Sequence, residues 1–507
     1  MYKHYIPYSL LSLLFTCLLF SCSEDNPGEQ IGEALPEMID PVSSLEIEWL
    51  VNTEEVSLSW ENPEDAYLSN VELSYYDPAK KDQKVTILLD AKSAQSDTYE
   101  LKINDPSAYV FALTAINKAG ARSQESSITF EEISEKSKWI FRADKLMASL
   151  VDLYLDNKPR DIWSSQYPQG GGYWDGAAVI WGHGAAFSGY TALKHATWEN
   201  PELKTFIKNN YDSRLLTGVD KFRNTRNGGP EAYAVYPGDG DERYYDDNIW
   251  VGIDMVDLYE LTGEAKYLNR AELVWNFVLA GTDELMNGGV YWKEGQRTKH
   301  TCSTAPAAVL AAKLYQATGT QDYLDRAKDY YDWVKETLQD PSDYLYWDSA
   351  RLANDNDPNS SLEIATEKYI YNSGQPIQAA VLLYEITNEP QYLEDAQMVA
   401  DAAHKRWFTP FTSYVTNKDF NILKPGHVWF QAIALRGYVA LYKIDGNSTY
   451  IDDYKMTLDH AWLSNARNKN TNLINENFKG TTTQNSWEVI HQGAIVEMLS
   501  QLAMVSE

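Results

Sequence analysis

The sequence predicts two architectures in series: a small β-sandwich over 42–133, then an all-α ring of six helical hairpins over 136–507, the (α/α)6 toroid. Three observations carry this. Strand-like runs separated by turn residues fill the first segment. A recurring hairpin motif fills the second, and internal repeats decide architecture. The chain also has 507 residues, too many for one ordinary core.

The first 22 residues read as a targeting segment. Lys3 and His4 give a weakly basic start, and the apolar run from Leu10 to Phe20 is too short to cross a bilayer. It ends in Leu19-Phe20-Ser21-Cys22, which resembles a bacterial lipobox and implies lipidation of Cys22 after cleavage. Ser23-Glu24-Asp25-Asn26 resembles the acidic export tag of Bacteroidetes surface lipoproteins. The expected location is therefore the outer membrane, facing outward, with membrane contact through the lipid alone. Residues 23–41, charged and carrying Pro and Gly, read as a tether.

Between 42 and 133, "VSLSW" (56–60), "VELSYYD" (71–77), "KVTILLD" (84–90), "TYELKI" (98–103) and "YVFALTAIN" (109–117) alternate or cluster apolar residues between turns. Trp60 followed by Pro63, and "YVFALTAINKAGARSQES" (109–126), resemble a fibronectin type III module. That resemblance implies a spacer.

From about residue 135 helical periodicity takes over. "LYELTGEAKYL" (258–268), "LYQATGTQDYL" (314–324), "LYEITNEPQYL" (383–393) and "LYKIDGNSTYI" (441–451) repeat one pattern, and "LKHATWENPEL" (193–203) is a weaker fifth copy. Each copy ends a helix, turns at Gly, Asn or an equivalent, and opens the next helix on an apolar anchor. Five hairpins make ten helices. "SKWIFRADKLMASLVDLYL" (137–155) and "NSWEVIHQGAIVEMLSQLAM" (485–504) bring the total to twelve, and pairing these two closes the ring. Runs such as "APAAVLAAKLY" are apolar nearly all round and suit inner helices; "YLDRAKDYYDWVK" is amphipathic and suits the outer layer.

Parallel inner helices gather their N-termini at one end. The segments just upstream are "GGGYWDGAAVIWGHG" (170–184), "RYYDDNIW" (243–250), "GGVYWKEGQRTKHTCSTAP" (288–306), "YIYNSGQP" (369–376), "KPGHVWFQ" (424–431) and "TTTQNSW" (481–487). Capping accounts for their polar residues, but not for Trp and Tyr recurring at the same end. A cleft lined for sugars accounts for both, because flat apolar sugar faces stack on aromatic rings. The 16 Trp and 35 Tyr suit that use. The excess of 73 Asp+Glu over 43 Lys+Arg argues against nucleic acid and extended polyanions as partners.

Among those six segments, only "RYYDDNIW" presents adjacent carboxylates, Asp246 and Asp247. Retaining glycoside hydrolysis needs two carboxyl groups about 5–5.5 Å apart, a separation that consecutive residues at a helix start can hold. Close carboxylates cannot both ionise easily, so one keeps its proton as an acid while the other, facing a helix N-terminus, stays ionised.

Tyr245-Asp246-Asp247-Asn248-Ile249-Trp250, "GGVYW" (288–292), "STAPAA" (303–308), "YNSGQP" (371–376) and the "TGxxxYL" turns together resemble family 76 of the glycoside hydrolases, over roughly 137–504. That resemblance implies an endo-acting α-1,6-mannanase with a retaining mechanism, Asp246 as nucleophile and Asp247 as acid/base. Ser373 stands where the family more often has Gln, Thr304 where it has Asn, and "QRTKHTC" (296–302) carries extra charge. These departures bear on subsite detail.

Around the pair, Tyr244, Tyr245 and Asn248 are candidate sugar contacts. Trp174, Trp292, Trp429 and Trp487 occupy matching places in different cleft segments, and Tyr371 and Asn372 join them. No cofactor or metal is expected. His183, His427 and His491 have no zinc-like spacing. Asp355, Asp357 and Asn359 begin like a calcium loop, but Ser360 and Thr366 replace its Gly and Glu. Of three cysteines, Cys17 leaves with the signal and Cys22 carries lipid, so Cys302 stands alone as a buried thiol. The combined reading is a surface lipoprotein that cuts mannan backbone into oligosaccharides for uptake proteins at the outer membrane. Rival readings are a non-catalytic glycan binder on the same scaffold, a hydrolase of another α-linked glycan, and an unsaturated-uronyl hydrolase.

Overall fold

The computed structural model describes residues 38–50, 55–78, 83–103, 106, 109–130, 133–155, 161–169, 176–226, 229–238 and 242–506. The expected signal segment with Cys22, most of the expected tether, and Trp174 lie outside these residues.

Seven strands precede the helices among the described residues: β1 (Ser43–Leu50), β2 (Glu55–Glu61), β3 (Leu68–Tyr76), β4 (Val85–Asp90), β5 (Ser96–Lys102), β6 (Val110–Asn117) and β7 (Ser126–Thr129). They form two antiparallel sheets, β1-β2-β5 and β4-β3-β6-β7. Period-two alternation buries Val56, Leu58 and Trp60 on β2, and Val71, Leu73, Phe111 and Leu113 of the other sheet join the same core. Trp49 ties this unit to the helices: its ring meets Phe141 edge-on at 4.8 Å and its indole donates to Asp144 at 3.3 Å.

The helices are α1 (Glu135–Leu150), α2 (Ile180–Ala196), α3 (Pro201–Ile207), α4 (Ser213–Asp220), α5 (Tyr245–Thr262), α6 (Ala265–Ala280), α7 (Thr301–Thr318), α8 (Gln321–Leu338), α9 (Ile370–Thr387), α10 (Pro390–Trp407), α11 (Val428–Asp445), α12 (Thr449–Leu463) and α13 (Val489–Ala503). A wide helical turn, Lys208–Asp212, joins α3 to α4, so the thirteen helices among the described residues form twelve rods. Helices α2, α5, α7, α9, α11 and α13 each pack on the next, and α13 packs on α2. The ring is closed. Outside it, α1 backs α13, α4 backs α2, and α6, α8, α10 and α12 back α5, α7, α9 and α11. No helix among the described residues is long and apolar enough to cross a membrane.

The repeated motif shows why the rods turn where they do. Gly263, Gly319, Asn388 and Gly446 all adopt left-handed backbone and donate their N–H to the carbonyls of Tyr259, Tyr315, Tyr384 and Tyr442. The "LY" of each repeat thus supplies the capping acceptor, and Gly or Asn supplies the conformation that other residues resist. The weaker copy ends instead at Thr197 with φ −107°. At the ring's closing joint, α2 and α13 cross so closely that a Cβ on Gly493 would sit 2.6 Å from Ala186 Cα.

Short pairs decorate the end where inner helices begin: β8 (Gln166–Tyr167) with β16 (Trp487–Glu488), β9 (Arg223–Thr225) with β10 (Glu231–Tyr233), β11 (Thr298–His300), β12 (Ser349–Leu352) and β13 (Leu362–Ala365) as one sheet, and β14 (Phe408–Thr412) with β15 (Asp419–Leu423).

Candidate active site

All six inner helices begin alike. Their N-cap residues Val179, Tyr244, His300, Tyr369, His427 and Glu488 have extended backbone, and none caps its helix with its side chain. A helix advances about 100° per residue, so consecutive residues face different ways. The first helical residues, Ile180, Tyr245, Thr301, Ile370, Val428 and Val489, are all buried. The second ones, Trp181, Asp246, Cys302, Tyr371 and Trp429, line one groove of about 980 Å³; the sixth is Ile490.

The groove floor is built from α5. Tyr244 bridges Lys293, and the Tyr245 N–H donates to the Trp292 carbonyl at 2.8 Å, which lays the 291–293 stretch along the start of the helix. Buried Arg243 fixes the neighbourhood by donating to both Glu294 oxygens, at 2.6 and 2.9 Å, and to the Pro230 carbonyl at 2.8 Å. Trp292 therefore hangs over Asp246. Its Nε1 donates to Asp246 Oδ2 at 3.1 Å, and Cys302 Sγ donates to the same oxygen at 3.5 Å. Asp246 Oδ1 accepts from the Asp247 N–H at 3.0 Å.

These contacts make the two half-buried carboxyl groups unequal. Burial raises the Asp246 pKa, and the three donors pull it back, leaving it at about 7. Burial and then the charge of Asp246 push Asp247 well above the usual carboxylate range. Of the two, Asp247 holds its proton more tightly and Asp246 gives its proton up first, the order that an acid beside a nucleophile requires.

Besides Glu242, a fourth carboxylate, Asp348, lines the groove. Burial raises its pKa, and Asn372 Nδ2 donates to it at 3.3 Å. His300 Nδ1 lies 3.6 Å from it, but burial lowers the imidazole to about 4, so this contact is not an ion pair at neutral pH. The walls are aromatic and mutually braced. Trp429 is met edge-on by Trp181 at 5.4 Å and by Trp250 at 5.1 Å, and Tyr371 stacks on Phe430 at 4.0 Å. Such contacts fix the ring planes. Among the described residues no cluster of three His, Cys, Asp or Glu can hold a metal ion.

Of the residues singled out in the sequence, the groove gathers Asp246, Asp247, Tyr244, Trp292, Tyr371 and Trp429. Four others lie elsewhere. Tyr245 points outward and stacks on Phe277 at 4.5 Å. Asn248 is fully buried; it accepts from the Tyr233 N–H at 2.7 Å and donates to the Tyr233 and Tyr244 carbonyls, so it secures β10 instead of touching sugar. Asn372 is buried behind Asp348. Trp487 is buried with its indole donating to Asn475 at 3.0 Å, beside a separate depression.

The substituted positions also face inward. Thr304 Oγ1 is buried and accepts from the Val290 N–H, and Ser373 is buried. In the charged run, Lys299 is buried and donates to Asp283 and to the carbonyls of Leu285 and Gly288, while Arg297 donates to the Asp355 carbonyl. His183 is a neutral core residue against Phe222, and His427 stacks on Trp181 at 5.0 Å.

Sequence reasoning missed Trp181, Trp250, Asp348 and the bond from Cys302. Aligning the six helix starts would have found Trp181 and Cys302. The i, i+4 relation to Asp246 would have found Trp250. Asp348 had no such signal, because pairing of β11 with β12 brings it beside His300.

The family model for glycosyl hydrolase family 76 matches residues 138–507. A solved family 76 glycoside hydrolase from a bovine Bacteroides thetaiotaomicron strain is 36% identical, covering 92% of this chain and 100% of that one, with a TM-score of 0.71. A second from that species, described as a mannosidase, is 43% identical over 73% of this chain and 99% of the other, TM-score 0.69. An α-1,6-mannanase of Salegentibacter, in an inactive variant with two consecutive aspartates changed to asparagine and bound to α-1,6-mannotriose, shares the fold at 21% identity, 72% and 99% coverage, and TM-score 0.57. A mannan endo-1,6-α-mannosidase of Candida glabrata is 26% identical over 145 residues, 27% of this chain and 32% of that protein. The chain spans 51% of a Schizosaccharomyces pombe relative and about a third of the Candida glabrata one.

Proposed function

Because the chain belongs to glycosyl hydrolase family 76, we propose that it is a retaining endo-α-1,6-mannanase. The observation that carries this reading is the pair Asp246 and Asp247, adjoining carboxylates in unlike surroundings at the floor of an aromatic groove. Asp246, held as an anion by three donors, attacks the anomeric carbon. Asp247 gives its proton to the departing glycosidic oxygen as that bond breaks, leaving a glycosyl ester on Asp246. Asp247, now a base, takes a proton from water. The water oxygen attacks the same carbon and releases Asp246. Two inversions restore the α configuration. The inactive Salegentibacter variant and its bound mannotriose support both the pair and the substrate, and the fungal relatives support endo cleavage of α-1,6-mannan.

The same proposal covers the rest of the chain. The sheet orders β1-β2-β5 and β4-β3-β6-β7 support a fibronectin type III-like spacer. Lipidated Cys22 would hold the enzyme on the outer surface of the outer membrane, where its oligosaccharides pass to uptake proteins. Purified enzyme should convert debranched α-1,6-mannan to short manno-oligosaccharides, with the α-anomer formed first by NMR, and Asp246→Ala should abolish turnover. A β-anomer formed first, or an unimpaired Asp246→Ala variant, overturns the mechanism. Binding of mannan without turnover by the native chain would favour the non-catalytic reading.

A further inference from the structure

We propose that the rim of the toroid carries a second glycan-binding groove, centred on Tyr344, that takes the neutral α-1,6-mannan chain beyond the catalytic groove. The inference rests on the substrate reading above. A depression of about 910 Å³ lies between the turn after α8, the C-terminal end of α10 and the segment before α11. Tyr344, Trp407, Met398 and Pro425 give it apolar surface, and Asp401 and Lys405 give it hydrogen-bonding groups.

Tyr344 is 47% exposed and has φ 63°, the left-handed region in which a bulky residue is strained. A lone exposed aromatic is ordinary. One held under strain by a dedicated scaffold is not. Lys368, its side chain only 8% exposed, donates to Asp340 Oδ2 at 2.6 Å and to Asp343 Oδ1 at 2.7 Å. Asp340 also accepts from the Ser342 N–H and hydroxyl, at 2.9 and 2.7 Å. The Tyr344 N–H donates to the Asp340 carbonyl at 2.8 Å, and Gln339 donates to the Tyr344 carbonyl at 3.0 Å. The turn is pinned on both sides while the ring is left facing water.

Two segments link this depression to the catalytic groove. Lys368, which pins the turn, is followed directly by Tyr369, a wall of that groove; Lys424 and Pro425 lie five and four residues before Trp429, another wall. The nearby cations have their own explanation. Lys405 and Arg406 end α10, where positive charge offsets the helix dipole, and Lys424 donates to the Arg406 carbonyl at 2.6 Å. The remaining feature is a stacking surface, which suits the apolar faces of uncharged sugar rings.

The test uses the full chain carrying Asp246→Asn and Asp247→Asn, which stops cleavage. Affinity electrophoresis in debranched α-1,6-mannan reads polymer binding, and calorimetry with α-1,6-mannotriose reads the catalytic groove. Tyr344→Ala should weaken polymer retention by about threefold to tenfold, Tyr344→Phe should keep it, and neither should change mannotriose affinity. Tyr344→Gly, which relieves the positive φ, should lose retention while melting at a higher temperature, separating lost binding from lost folding. Unchanged retention in Tyr344→Ala with mannotriose still bound overturns the second groove and leaves the enzyme reading intact. Equal losses for polymer and mannotriose also overturn it. Failure of the unaltered chain to bind or cleave either ligand overturns the substrate reading beneath it.

Discussion

Replacing Trp292 by Phe removes one N–H while keeping a ring beside His300 and Tyr244, which lie 5.1 and 5.0 Å away by centroid. In the native groove that N–H donates to Asp246 Oδ2 at 3.1 Å and is one of three donors holding the carboxyl down against burial. A hydrogen bond to a charged group contributes about 1.5–3 kcal/mol, and one pKa unit corresponds to about 1.4 kcal/mol. The groove admits solvent, so the lower figure applies, and Asp246 should rise by about one unit. The donor stabilises only the anion. Its loss favours the protonated form, so the acid limb of kcat/KM moves to higher pH, while rates above that limb change little. Below the limb the rate should fall by about tenfold. The assay is a pH profile of kcat/KM on soluble debranched α-1,6-mannan, followed by reducing-end release. An acid limb that stays in place, with a loss uniform across pH, refutes the assignment of the charge to Asp246.

The remaining predictions address stability and the groove walls. Both paired carboxyls have raised pKa values, so each contributes stability at acid pH that is lost as pH rises through its folded pKa. The Asp246→Asn/Asp247→Asn chain should therefore melt above the native one at pH above about 7, with the gap closing toward the unperturbed carboxylate range; scanning fluorimetry across pH checks the sign. Gly493→Ala places a Cβ 2.6 Å from Ala186 Cα, where backbone cannot retreat, and should cost about 1–3 kcal/mol in urea unfolding. Trp429→Ala should lower kcat/KM by about tenfold, whereas Trp487→Phe, altered outside the groove, should leave it unchanged.

The hairpin turns were legible because their chemistry is local. A left-handed Gly or Asn four residues after a tyrosine carbonyl is written in each "LY…TG" copy, and counting copies yields the twelve rods. The end of the barrel carrying the groove followed from helix direction alone. Which side chain faces it did not, because the reading placed residues by segment and ignored the 100° step between neighbours. Hence Tyr245 and Asn248, adjacent to the carboxylate pair, turned out to be packing and anchoring residues. Asp348 and Trp487 were set by strand pairings between distant segments, β11 with β12 and β8 with β16. Contacts of that kind leave no periodic trace in the chain.

Helix α13 is the final stave of the barrel, wedged between α2 and α11 and backed by α1. Without it the ring would be an unlatched crescent, with the oily flanks of its first and fifth staves bare. The groove lies between those open arms, so its walls would not be squared up until the last stave drops in. Frameshifts or stops that spare Asp246 and Asp247 but remove Val489 onward should therefore abolish activity as thoroughly as changing those two aspartates, and mark the product for proteolysis.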